Sequence, residues 1–182
     1  MKHPEIYALL WLTRDSERAL TDFLVANGLR RNAIQRGMHL TVYHAQRSLP
    51  GLRLGRRTVD IVVDVAETRL MVMAPGGERP RDGLDPSRQS IGLRLTKRNA
   101  AIDDIQALRS DVFRLETPKL LGARKPTNAW NSAFGSRRYQ PHVTLAGPQN
   151  GAPYDLTVIG KALRTSIATI RFDRFEVRYR PA

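Results

Sequence analysis

Two stretches of this chain repeat one pattern: His39-Leu40-Thr41-Val42 and His142-Val143-Thr144-Leu145 both read His-apolar-Thr-apolar. On a β-strand, residues two apart share a face. Each stretch therefore sets an imidazole beside a hydroxyl and turns its apolar residues toward a core. Imidazole titrates near neutrality, so one ring can take a proton from an attacking oxygen while another gives one to a leaving oxygen. Threonine hydroxyls can donate to non-bridging phosphate oxygens and stabilise charge that grows in the transition state. Two such pairs around one phosphorus are what in-line displacement at a phosphodiester requires. The motifs fall one in each half of the chain, which implies a cleft between halves. His44 has the opposite strand parity to His39 and is expected to face away from that cleft. His3 lies close to the N-terminal end, and neither is assigned a role.

Other chemistries lack their residues. No H-E-x-x-H or H-x-H pattern occurs, there is no cysteine, and neither a G-x-S-x-G elbow nor a G-x-x-x-x-G-K-[ST] loop is present. The expectation is metal-independent catalysis with no cofactor. Without cysteine, disulfide scaffolds, thiol nucleophiles and iron–sulfur clusters are excluded as well. Thirty Lys and Arg against 17 Asp and Glu give a net charge of +13, and such a field draws polyanions, nucleic acid first among them. Of these cations, all but Lys2, Lys97, Lys119, Lys125 and Lys161 are arginine.

The elements that must position the motifs follow from apolar spacing. Length (182 residues) and a 41% hydrophobic share fit one domain, 1–182, with a real core. The apolar run Ile6–Leu12 reads as a strand and is too short to cross a bilayer. The chain is thus expected to be soluble, cytoplasmic and monomeric, with no membrane partner. Asp15 or Ser16 is expected to cap a helix carrying Ala19, Leu20, Phe23 and Leu24 on one face and closed by Asn27-Gly28. Met38–His44 is a strand. Thr58–Val65 and Arg69–Ala74 are two more, read as a hairpin around Ala66-Glu67-Thr68. Pro75–Gln89 is a loop, Ser90–Thr96 a strand, and Asn99 caps a helix with Ile102, Ile105, Leu108, Val112 and Leu115 on one side. Thr117–Arg138 is a long irregular segment, Tyr139–Ala146 a strand, Leu156–Arg164 a short helix, and Ile167–Arg180 closes with one or two strands. Strand–helix–strand occurring twice indicates an α+β fold.

The paired His-x-Thr-apolar motifs, and above all the run Arg138-Tyr139-Gln140-Pro141-His142-Val143-Thr144-Leu145-Ala146, resemble the two-histidine (2H) phosphoesterase superfamily, which includes the RNA 2′,3′-cyclic phosphodiesterases, also called 2′-5′ RNA ligase-like proteins. The resemblance implies a bilobal fold of two antiparallel sheets with outer helices, related by a pseudo-twofold, with a central cleft holding both H-x-T motifs. It implies that His39 and His142 are the acid–base pair and that Thr41 and Thr144 bind the phosphate. For a cyclic phosphodiesterase, His142 would activate water and His39 would protonate the departing ribose oxygen. The implied substrate is an RNA 2′,3′-cyclic phosphate end or a related 2′-5′ or cyclic nucleotide phosphodiester. RNA-acting members often carry a basic residue shortly after the second motif, where this chain has Ala146-Gly147-Pro148.

Around the cleft, Tyr43 shares parity with His39 and Thr41 and is expected to face substrate. Arg36, Arg138 and Tyr139 precede the motifs and are candidates for flanking phosphates and bases. Trp130 and Phe134 form either a base-stacking lid or a plug at the sheet edge. Two alternatives use the same residues: an RNA- or nucleotide-binding module without turnover, and a 2′-5′ RNA ligase.

Overall fold

The structure is a computed structural model that describes residues 5–46, 53–73, 89–113, 140–149 and 154–180. It is a mixed α/β domain. The strands are β1 (Glu5–Leu12), β2 (His39–Gln46), β3 (Gly55–Asp64), β4 (Thr68–Met73), β5 (Ser90–Leu95), β6 (His142–Ala146) and β7 (Thr169–Arg180), and the helices are α1 (Arg14–Ala26), α2 (Ala101–Phe113) and α3 (Leu156–Ser166). The strands form one seven-stranded antiparallel sheet in the order β3-β7-β1-β2-β6-β5-β4. The two sheets expected from the sequence are therefore one among the described residues. Pairing of Leu40 with Val143 joins β2 to β6 and carries the hydrogen-bonded ladder across the middle.

Leu10, Leu40, Val143 and Leu93 sit in register on four consecutive strands and are all buried. They belong to one apolar cluster with Leu20 and Leu24 of α1, Ile105, Leu108 and Val112 of α2, and Ile159 and Leu163 of α3. Leu9, equally buried, is not part of that cluster, because its side chain leaves the sheet on the opposite face.

The helix boundaries follow local chemistry. The cap of α1 is Thr13, not Asp15 or Ser16: its Oγ1 accepts from the Ser16 N–H at 3.2 Å, and Asp15 instead favours the positive first turn. Asn27 ends this helix and Gly28 follows with φ 88°, as the sequence predicts. Asn99 caps α2, its Oδ1 accepting from the Ala101 N–H at 3.2 Å.

β3 and β4 do not form the expected hairpin; they run at opposite edges of the sheet. A flat sheet would hold these edges six spacings apart, about 29 Å. The single 3-10 turn Val65–Glu67 that joins them spans far less. The sheet is therefore not flat, and the end of β3 and the start of β4 lie close together at residues 64–68. There Asn99 Nδ2 donates to the Asp64 and Glu67 carbonyls at 2.8 and 3.2 Å. No described helix is long and apolar enough to cross a membrane. Arg138, Tyr139, Trp130, Phe134, His3, Ala74 and Leu115, all but Gln89 of the loop Pro75–Gln89, and the segment Thr117–Arg137 lie outside the described residues.

Candidate active site

β2 and β6 are antiparallel neighbours with Leu40 opposite Val143. Carrying this register one residue each way sets His39 across from Thr144 and Thr41 across from His142. The flanking ladders hold the same rows without a break: Trp11 opposes His39 and Leu9 opposes Thr41 on one side, while Gly92 opposes Thr144 and Arg94 opposes His142 on the other. All four motif side chains thus leave one face, with Leu40 and Val143 beneath them. The histidines are diagonal neighbours, their Cα atoms about 7–8 Å apart, and each has the other motif's threonine directly across the ladder. All four residues are partly exposed.

The two rings are held alike. His39 Nδ1 lies 2.9 Å from the Gly37 carbonyl, and His142 Nδ1 lies 2.8 Å from the Gln140 carbonyl. A carbonyl only accepts, so each Nδ1 carries a proton and each Nε2 is left for chemistry. Different residues build these two supports. Gly37 has φ 64°, a left-handed conformation that brings its backbone against Trp11, and its N–H donates to Glu17 Oε1 at 2.7 Å. Gln140 precedes Pro141, which biases it to an extended conformation, and the Pro141 carbonyl accepts from the Leu95 N–H at 3.0 Å.

Burial is the largest influence on His142 and pulls its pKa below the ordinary imidazole value. The Gln140 carbonyl opposes that shift, and positive charge at His39 and at Arg94 adds to it. His142 is therefore predominantly neutral at pH 7, with a free Nε2 lone pair suited to a base.

Each motif is followed by the same irregularity. On β2, Ala8 pairs with Tyr43 and Leu9 with Thr41, so Val42 is an extra residue. On β6, Ile91 pairs with Ala146 and Gly92 with Thr144, so Leu145 is extra. A β-bulge thus falls on the fourth position of both tetrapeptides. The bulge corrects two expectations. Tyr43 does not share the face of His39; the extra residue turns it into the core, where it is fully buried. His44 does not face away; it is carried to the histidine face, and its ring stacks on Tyr7 with centroids 4.4 Å apart.

Arg36 is exposed and lines a shallow groove with Arg30, Asn32 and Pro148. The segment leading into the first motif is stitched to the tail of the second: Gln35 N–H donates to the Leu145 carbonyl at 2.8 Å, and Gly147 N–H to the Ala33 carbonyl at 2.7 Å.

Several neighbours of the site were not legible as such. Arg94 is the only charged residue of β5, and its alternation with Leu93 and Leu95 was the available signal. Trp11, hidden in an apolar run, lies beside His39 with ring centroids 4.9 Å apart. Its Nε1 donates to Glu176 Oε2 at 2.9 Å. Burial alone would push the Glu176 carboxyl up, but the bond and charge of Arg56, the Trp11 N–H and the charge of Arg178 outweigh it and hold the group below its usual range. Met73 lies over Gly92, where no side chain obstructs it, and its Sδ is 3.9 Å from Thr144 Oγ1. Among the described residues no three His, Asp or Glu side chains are grouped to hold a metal ion. In comparisons with known proteins, no family model and no curated protein matches the chain.

Proposed function

We propose that this chain is a phosphodiesterase of the two-histidine type, acting on RNA 2′,3′-cyclic phosphate ends or a related 2′-5′ or cyclic phosphodiester. The observation that carries the reading is the β2–β6 register, which gathers both H-x-T motifs on one face with both Nδ1 atoms bonded to the carbonyl two residues earlier. The bulge shared by the motifs, and the order β1-α1-β2 matched by β5-α2-β6, support the pseudo-twofold and bilobal arrangement that the 2H resemblance implies.

In this reading the phosphorus sits between the two Nε2 atoms. Neutral His142 takes a proton from water as its oxygen attacks phosphorus. The bond to the ribose oxygen breaks on the opposite side, and His39, which must enter the step as the doubly protonated imidazolium, gives that oxygen its Nε2 proton and keeps the one on Nδ1, leaving a phosphomonoester. Thr41 and Thr144 donate to the non-bridging oxygens. Arg94, beside His142, supplies positive charge that Ala146-Gly147-Pro148 does not. A panel of 2′,3′-cyclic mononucleotides, cyclic-ended RNA, 2′-5′ and 3′-5′ oligonucleotides and cyclic dinucleotides tests the reading. Turnover of at least one class, lost in His142→Ala, supports it. Salt-sensitive RNA binding with no product from any of them would make the protein a binder instead.

A further inference from the structure

The histidine face does not end at the motifs. Moving from β2 away from β6, the same face continues through Trp11 of β1 to Arg174, Glu176 and Arg178 of β7 and Arg56 of β3. Arg174 and Arg178 both place their guanidinium groups over the Trp11 ring, 5.0 and 5.8 Å from its centroid. Glu176 lies between these two on the strand and bonds Arg56 Nε at 2.8 Å as well as Trp11. Arg56 and Arg178 act on this one carboxylate and Arg174 lies over the same indole, so three guanidinium groups against one carboxylate leave a net positive cluster. A guanidinium held over an indole face by cation–π attraction spends no N–H donor on that contact and keeps its donors for another acceptor. Two strand spacings, about 10 Å, separate His39 from this cluster.

We infer that Arg174 and Arg178, held over Trp11, form a phosphate subsite for a neighbouring nucleotide of a single-stranded RNA whose end occupies the histidine pair. The inference rests on the phosphodiesterase reading and sharpens it: the preferred substrate is an oligonucleotide, not a mononucleotide. Charge complementarity selects the occupant. A second phosphate lies beyond the reach of a mononucleotide's single one, and a strand crossing β2, β1 and β7 brings it to the cluster. Trp11 is a positioning residue in this arrangement, since it touches His39 on one side and orders both arginines on the other.

The test compares Arg174→Ala and Arg178→Ala on a 2′,3′-cyclic mononucleotide and on a short RNA bearing the same cyclic end. Each variant is expected to lower kcat/KM on the RNA about tenfold more than on the mononucleotide, and to reduce the log–log salt slope of RNA binding by about 0.7. Lys161→Ala, an equal charge loss on the exposed side of α3, is expected to leave this selectivity unchanged. Circular dichroism and a urea midpoint check the fold, and Arg174→Lys retains charge should Arg174→Ala not fold. Equal losses on both substrates, or no loss on the RNA, overturn the subsite. Binding of labelled RNA to His142→Ala protein separates the two readings. If arginine replacement weakens that binding tenfold while the native protein turns over neither substrate, the subsite stands and the enzymatic reading fails. Displacement of the RNA by polyglutamate at matched charge concentration would mark a surface for acidic peptide and overturn the RNA assignment.

Discussion

Arg94 stands directly across the β5–β6 ladder from His142, and both side chains leave the sheet on the face that carries His39. A fixed cation beside a partly buried imidazole disfavours its protonation, so this pair bears on which histidine starts the reaction with an empty Nε2.

The rate is therefore expected to rise with pH along an acid limb whose midpoint lies below 6.5, as His142 loses its proton. Arg94→Gln should move that midpoint upward without bringing it to the free-imidazole value, because burial is the larger cause and remains. Stability carries the same sign. The folded pKa is depressed, so the contribution is present above the unfolded value and is lost as pH falls through the folded one. Urea midpoints of the native protein and His142→Asn between pH 7 and pH 5 read this: the native protein should lose more.

Single replacements His39→Ala and His142→Ala are each expected to reduce turnover by roughly 10²–10⁴-fold. The double variant should be little worse than either single one, since base and acid serve one step. Thr41→Val and Thr144→Val, which keep shape and remove one donor, are expected to cost roughly 10²–10³-fold in kcat. Steady-state kinetics on a cyclic-ended substrate measures both.

Gly37 supports His39 through a conformation other residues adopt at a cost. A Cβ there would lie 3.2 Å from the Trp11 ring on a backbone with φ 64°. Gly37→Ala is expected to destabilise by about 1–3 kcal/mol and to disturb the carbonyl that orients His39. Turnover per folded molecule should fall as well, which distinguishes it from a general loss of stability.

Tyr43 gives the contrasting case. Because the bulge at Val42 buries it, Tyr43→Ala should cost on the order of 3–5 kcal/mol in urea unfolding and leave KM nearly unchanged. A raised KM at unchanged stability would return it to the cleft.

The motif pairs were legible because strand periodicity alone puts His and Thr on one side and Leu40 and Val143 on the other. The bulges were not. Val42-Tyr43-His44 reads as regular alternation, and only pairing with β1 reveals the extra residue that exchanges the faces of Tyr43 and His44. The break between strands at residues 65–67 was legible, but the hairpin read there does not form, because the edges that β3 and β4 occupy are set by β7 and β5, remote partners that no local pattern names. Trp11 was hidden for a related reason. It lies in an apolar run, and only its neighbours Arg174, Glu176 and His39 make it part of a polar face.

The central claim is that His39 and His142 act together on one phosphorus. It is tested most directly by incubating RNA with a 2′,3′-cyclic phosphate end with native, His39→Ala and His142→Ala protein in the presence of a chelator. Conversion to the linear phosphomonoester by the native protein alone, undiminished by the chelator, is the predicted result. No conversion above buffer, or equal conversion by all three proteins, would contradict it.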